Sequence, residues 1–108
     1  MFLADVVGTV VSPVQHPVLE SRRLLLLRVL DPRGRPTSTT RIGIDVARAG
    51  PGDRVLVVDE GNAGRQLLDA PQAPVKTVVV GVVDFVELDG ELVFDHRTRP
   101  PLEEHPRP

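Results

Sequence analysis

The sequence predicts an all-β fold, a small OB-like barrel, closed or partly open, of five to six short strands with one short helix. Three observations predict it. Apolar residues recur either with the two-residue period of a strand or in short unbroken runs. Eleven Pro and nine Gly punctuate 108 residues, so the strands are short and the turns frequent. A chain of this length forms one domain with a thin margin of burial, and closing its sheet removes exposed edges that would invite aggregation.

Residues 2–12 alternate: Phe2, Ala4, Val6, Gly8 and Val10 share one face, while Leu3, Asp5, Val7, Thr9 and Val11 share the other. A loop with Pro13 and Pro17 follows, then a second strand from about Arg23 to Leu30. Asp31-Pro32-Arg33-Gly34-Arg35-Pro36 forms a turn, with Pro setting φ and Gly accepting a positive φ. Residues 40–46 make a shorter, more polar third strand, and Asp45 is placed to cap a brief helical turn ending near Ala49-Gly50. Asp53 to Val58 is the fourth strand. Asp59 or Asn62 then caps a short helix through about Ala70, which Pro71 and Pro74 stop. The fifth strand covers about Lys76 to Leu88, and Asp89-Gly90 is a two-residue hairpin signal that returns a sixth strand through Phe94. Residues 1–95 therefore form the barrel domain. From 96 to 108 four prolines sit among charges with Leu102 the one large apolar residue, a composition expected to remain a disordered tail.

Two segments break the alternation. Val78-Val79-Val80-Gly81-Val82-Val83 is apolar on both faces, and Leu24 to Leu27 repeats the pattern. One face of each strand can line an internal core; the other needs a cover that a chain this small does not have to spare. A partner subunit is the expected cover.

Composition excludes much else. The net charge is −2 with both signs interspersed, so no basic stripe offers itself to nucleic acid. Three Phe, without Tyr or Trp, leave little for bases to stack on. No Cys means no disulfide and no thiolate metal site. Asp5 interrupts the first apolar run, so no signal peptide is read, and no segment reaches the ~20 apolar residues of a membrane span. The expectation is a soluble, cytoplasmic protein.

Catalytic chemistry is hard to find. His16, His96 and His105 share no metal-binding spacing, and Ser12, Ser21 and Ser38 lack a nucleophile-elbow context. Asp45, Asp53, Asp59 and Asp84 could pair across a barrel as acid and base, although carboxylates at strand ends are more often caps. Gly50-Pro51-Gly52 and Gly61-Asn62-Ala63-Gly64 match neither a P-loop nor a dinucleotide fingerprint. They read as tight turns, or as places where a neighbouring chain approaches the backbone closely. No catalytic residue, metal ligand or cofactor is assigned. An OB-type binding module for an oligonucleotide, a peptide or a small metabolite is the alternative reading.

Five segments, in order, carry a resemblance. They are Leu3-Ala4-Asp5-Val6-Val7-Gly8-Thr9-Val10-Val11, Leu24 to Leu30 with Asp31-Pro32-Arg33-Gly34, and Ile44-Asp45-Val46 with Ala49-Gly50-Pro51-Gly52-Asp53 and Val55. Gly61-Asn62-Ala63-Gly64-Arg65 and Pro74-Val75 with Val78 to Asp84 complete the set. Together they resemble the vertex proteins of bacterial microcompartments, the pentameric shell proteins of carboxysome and ethanolamine-utilisation type. Lys76 stands where that family usually carries Asp, and Gly64 where Ala is common. The tail after Arg97 lies outside the resemblance.

The resemblance implies a non-catalytic structural subunit. Its OB-like barrel would assemble as a homopentamer that caps the fivefold vertices of a cytoplasmic microcompartment shell built of hexameric and trimeric tiles. It further implies that Arg48, Ala49, Gly50, Pro51, Gly52 and Asp53 contact neighbouring tiles. Gly61, Asn62, Ala63, Gly64 and Arg65 would face the symmetry axis or a subunit interface, and Val78, Val80 and Val82 would pack on the next subunit. No nucleic acid or membrane partner is implied.

Overall fold

The computed structural model describes residues 1–11, 22–59 and 77–98. Seven strands lie among them: β1 (Phe2–Val10), β2 (Arg23–Leu30), β3 (Pro36–Asp45), β4 (Arg54–Val58), β5 (Val78–Val82), β6 (Phe85–Leu88) and β7 (Glu91–Asp95). β1 to β5 close a barrel in the order β1-β2-β3-β5-β4, while β6 and β7 form a separate two-stranded sheet. Every neighbour in the barrel is antiparallel except β3 and β5, whose parallel contact is only Ile44 with Val78 and Asp45 with Val79. The small closed barrel is the expected one.

The pleat of β2 and β4 turns every second residue inward. Leu25, Leu27, Val55 and Val57 join Ala4, Val6, Ala49 and Val79 in one core, each fully buried, with Phe2 and Ala47 against it. Burying each Leu or Val side chain is worth about 1.5–3 kcal/mol, so this cluster is the main stabilising term of the barrel.

Three features depart from expectation. The single face assigned to Phe2, Ala4, Val6, Gly8 and Val10 is broken at Val7. Val6 pairs with core Leu27, but Gly8 and Val10 pair with Leu26 and Leu24 on the outer side. A bulge places one extra residue in the strand and so reverses the faces beyond it. The expected fifth strand through Leu88 is two strands. Val83 N donates to Arg54 O at 2.8 Å and His96 N to Asp84 O at 2.8 Å, which turns the chain off the barrel wall into the hairpin. No helical turn follows Asp45. Its Oδ1 accepts from Ala47 N (2.9 Å) and Ala49 N (3.3 Å), satisfying in a bend the donors it was expected to cap in a helix. The short helix expected after Asp59 or Asn62 falls largely within residues 60–76, outside the described residues, so no helix is seen among those that are.

The turns behave as read. Asp31 O accepts from Gly34 N (2.9 Å), Pro32 occupies the first central position, and Gly34 has φ 82°. Asp31 Oδ1 accepts from Arg33 N and Arg35 N, both at 2.9 Å, and Oδ2 from Arg35 Nε at 2.8 Å. Asp89 (φ 52°) and Gly90 (φ 78°) give the hairpin a turn with both central residues left-handed, which matches the twist of paired strands.

One polar cluster lies outside the core and ties four elements together. The Arg54 side chain at the start of β4 donates from Nε to Asp5 Oδ1 (2.9 Å) and from Nη2 to Asp5 Oδ2 (3.2 Å) on β1. It also donates to Gly34 O (3.3 Å) in the β2–β3 turn, and its guanidinium lies 4.4 Å from the ring centre of Phe94 on β7. The two charged side chains are only 2% and 11% exposed. Gly34 is favoured there by its φ of 82°, and a Cβ at this position would press on the Arg54 guanidinium.

Removing one partner of such a pair leaves a buried charge uncompensated. Arg54→Ala and Asp5→Ala are each expected to lower stability by about 3–5 kcal/mol, read by urea denaturation at fixed protein concentration. A loss below about 1 kcal/mol would mean that water replaces the pair.

Asp31 titrates in a predictable direction. The Arg35 amide, together with the Arg35 side chain and the Arg33 amide, holds its carboxyl below the ordinary 3.8. Its folded-state pKa is depressed, so its contribution is present above the unfolded pKa and is lost as pH falls through the folded value. A carboxyl-carbon NMR titration is expected to place the Asp31 midpoint below 3.8, and Asp31→Asn to flatten the acid limb of the stability profile.

Candidate functional site

The loop from β3 to β4 is held by hydrogen bonds at both ends. Its entry is held by Asp45, whose Oδ1 is committed to the Ala47 and Ala49 amides. Arg23 at the start of β2 braces the same point, donating to Ala49 O at 3.0 Å with its Nη1 3.9 Å from Asp45 Oδ2. The Ala49 side chain is fully buried in the core. Gly50 O then accepts from Asp53 N (3.0 Å) while Asp53 Oδ2 accepts from Gly50 N (2.9 Å). With Pro51 and Gly52 (φ 96°) at the centre this is a type II turn. Finally Gly52 N donates to Val6 O and Val6 N to Asp53 O, both at 2.9 Å, which fastens the turn to β1.

The six residues assigned here from the resemblance are thus brought together, but they are not alike. Ala49 is core, and Asp53 spends its carboxylate on the loop backbone. Arg48 and Pro51 are exposed, with Gly50 and Gly52 half-buried between them. Gly52 is needed for its φ. Gly50 is not: its φ is ordinary, and a Cβ there would meet nothing within 4 Å. Nothing in the fold of this chain asks for glycine at position 50.

The other assigned residues are placed less simply. Gly61, Asn62, Ala63, Gly64 and Arg65 lie outside the described residues. Val78, Val80 and Val82 do not share one face. Val78 pairs with Val58 and Val82 with core Val55, because the register slips by one residue at Val80. Val78 is buried and Val80 half-buried, leaving Val82 at 40% exposure.

A further exposed apolar surface lies at the hairpin. Phe85 is 62% and Leu92 54% exposed. With Asp84, Asp95, His96 and Arg97 they line an open groove of about 610 Å³. Arg97 is clamped to Asp95 at 3.1 Å, which holds the Asp95 carboxyl below its usual range. Sequence reading missed this surface. It placed Phe85 in one long barrel strand, and only the break at Val83-Asp84 turns that side chain outward.

Catalytic arrangements gain nothing. Asp45 and Asp53 serve the loop backbone, and Asp59 accepts from Thr77 Oγ1 at 2.9 Å. Among the described residues no three His, Asp or Glu side chains gather as a metal site, and no helix is long and apolar enough to cross a membrane.

The two loop glycines separate by experiment. Gly50→Ala is expected to change stability by less than about 0.5 kcal/mol, whereas Gly52→Ala costs about 1–2 kcal/mol from left-handed strain. Thermal unfolding of the two variants side by side reads the difference. Equal losses would show that the φ of Gly52 is not what holds the turn.

Comparison with known proteins agrees with this geometry. The family described as ethanolamine utilisation protein EutN/carboxysome matches residues 1–84. The chain is 37% identical over 94 residues to the microcompartment shell vertex protein EutN of Escherichia coli K12, covering 87% of this chain and 98% of that protein. It is 32% identical over 97 residues to the carboxysome shell vertex protein CcmL of Nostoc, covering 90% and 96%. The solved CcmL of Gloeobacter violaceus superposes with a TM-score of 0.83 at 32% identity over 90% of this chain and 99% of that one. The pentameric microcompartment shell protein GrpN of Rhodospirillum rubrum gives 0.73 at 33% identity over 82% and 99%. A family match over residues 1–84, which span all five barrel strands, has one conclusion: this chain belongs to the EutN/CcmL family of microcompartment shell vertex proteins.

Proposed function

We propose that this chain is the vertex subunit of a bacterial microcompartment shell, a structural protein that acts as a homopentamer. The observation that carries the reading is the family match over residues 1–84, supported by a pentameric relative of the same fold. The mechanism is geometric. Flat sheets of shell tiles cannot close by themselves; five copies around an axis supply the missing curvature and retain the enclosed enzymes. The reading places the protein in the cytoplasm, within the shell, without enzymatic activity of its own.

A cyclic pentamer uses a head-to-tail contact, so each subunit presents two different patches. The hairpin groove is our candidate for one of them. Two adjacent large apolar side chains in an otherwise polar rim are what a partner surface covers. Two exposed apolar residues of the barrel wall, Ile42 and Val46 on and just after β3, are candidates for the other. The β3–β4 loop supplies the outward contact with hexameric and trimeric neighbours. It is pinned at both ends and carries few side-chain atoms at Gly50 and Gly52, which suits close approach of two rigid bodies. Nucleic acid draws no support as a ligand: Phe94 lies buried against Arg54 and Phe2 is half-buried against the core, which leaves Phe85 alone exposed.

Native mass spectrometry tests the assembly directly. The expected mass is five times 11.8 kDa, and the Phe85→Ser/Leu92→Ser double variant is expected to dissociate to smaller species while keeping its β-sheet circular dichroism. A monomeric parent protein would overturn the vertex reading. A pentameric double variant would move the subunit contact away from the hairpin.

A further inference from the structure

The β3–β4 loop holds one residue that its own fold does not explain. Arg48 has φ 56°, in the left-handed region that side chains other than Gly, Asn and Asp rarely enter. The conformation is imposed from both sides. The amides of Ala47 and Ala49 are bound to the Asp45 carboxylate, and the Ala49 side chain is buried in the core. Glycine would meet this requirement freely, yet the position carries the longest side chain available.

Among the described residues that side chain makes no hydrogen bond or ion pair that would justify it. Arg23, Arg28, Arg33, Arg35, Arg54 and Arg97 each have an acceptor or an ion-pair partner within the chain. Arg48 is exposed and has neither. Arg41 is also exposed without a partner, but it lies in regular β conformation on β3, where a solvated charge needs no explanation. The carboxylates nearest in sequence to Arg48 are committed elsewhere, Asp45 to the loop amides and Arg23, Asp53 to Gly50 N. The result is an unpaired guanidinium on a rigid mount, between Val46, which is 40% exposed, and the exposed Pro51.

We propose that Arg48 is the specificity-determining residue of this loop, and that it pairs with a carboxylate on the edge of the adjacent shell tile. The proposal rests on the vertex reading and deepens it. A guanidinium meets a carboxylate through two parallel N–H···O bonds, so its worth depends on the direction in which it is held. The left-handed backbone, pinned on both sides, fixes where the side chain leaves the loop, so the backbone need not be ordered on docking and only the side-chain torsions of Arg48 are. Pro51 and Gly50 supply the close-packed floor of the contact, and Arg48 selects which tile edge fits it.

The test uses the full chain and the hexameric shell protein of the same bacterium as the probe. Arg48→Gly, Arg48→Gln and Arg48→Lys are compared with the parent for melting temperature, native mass and binding to immobilised hexamer at low and high salt. Arg48→Gly is expected to match or exceed the parent in melting temperature and to keep its native mass. It is also expected to bind the hexamer at least about tenfold more weakly at low salt, with a shallower salt dependence. Arg48→Gln is expected to lose as much, and Arg48→Lys to recover only part, since an ammonium keeps the charge without the fork. Parent-like binding by Arg48→Gly overturns the inference and leaves the vertex reading standing. Equal binding by Arg48→Lys and the parent overturns the bidentate carboxylate. A parent pentamer that binds no hexamer overturns the vertex reading and this inference with it.

Discussion

The attachment of the hairpin and the β2–β3 turn to the barrel depends on Arg54. A small barrel has few ways to fix the relation of its wall to whatever is attached outside it, because apolar contacts are not directional. Arg54 provides direction. It joins β1 through Asp5, the β2–β3 turn through Gly34 O and the hairpin through the ring of Phe94. Its own carbonyl receives Val83 N where the chain leaves the barrel. One residue thus sets where the hairpin stands relative to the barrel wall. In the proposed pentamer, that angle decides which surface the groove of Phe85 and Leu92 presents to the next subunit.

The same logic runs through the β3–β4 loop. Loops that meet partners gain from rigidity, since order present beforehand need not be created on contact. Here rigidity comes from two aspartates that serve backbone amides and from one alanine planted in the core. Both carboxylates are spent on the backbone of the loop that carries them. What the loop offers outward is shape, together with the charge of Arg48.

Sequence reading went far on local chemistry. Asp31 to Pro36 and Asp89-Gly90 are turns with a mechanism in their residues, and both formed as expected. The alternation in β1 put Ala4 and Val6 on one face, and both are core. It failed where the register slips, at Val7 in β1 and at Val80 against β4. A bulge is a property of two strands together; one strand's composition carries no sign of it. For that reason Val78, Val80 and Val82, two residues apart in sequence, do not share one face. Asp5 was read merely as an interruption of an apolar run, and the residue that explains its burial lies 49 positions away.

What the sequence determined by itself is the class of the molecule. Short apolar periods, turn residues at fixed offsets and the absence of clustered functional groups lead to a small all-β domain. The motifs Ala49-Gly50-Pro51-Gly52-Asp53 and Val78 to Asp84 lead to its family. Tertiary structure decided which face each residue after a bulge presents, that the long fifth strand breaks at Val83-Asp84, and that Phe85 looks outward. It also decided that Arg48 is held left-handed without a partner. The division has one physical cause. Turn and alternation preferences act within a few residues and are written locally. Register, strand breaks and imposed dihedrals are set by hydrogen bonds and packing between segments distant in the chain, and they exist only once those segments meet.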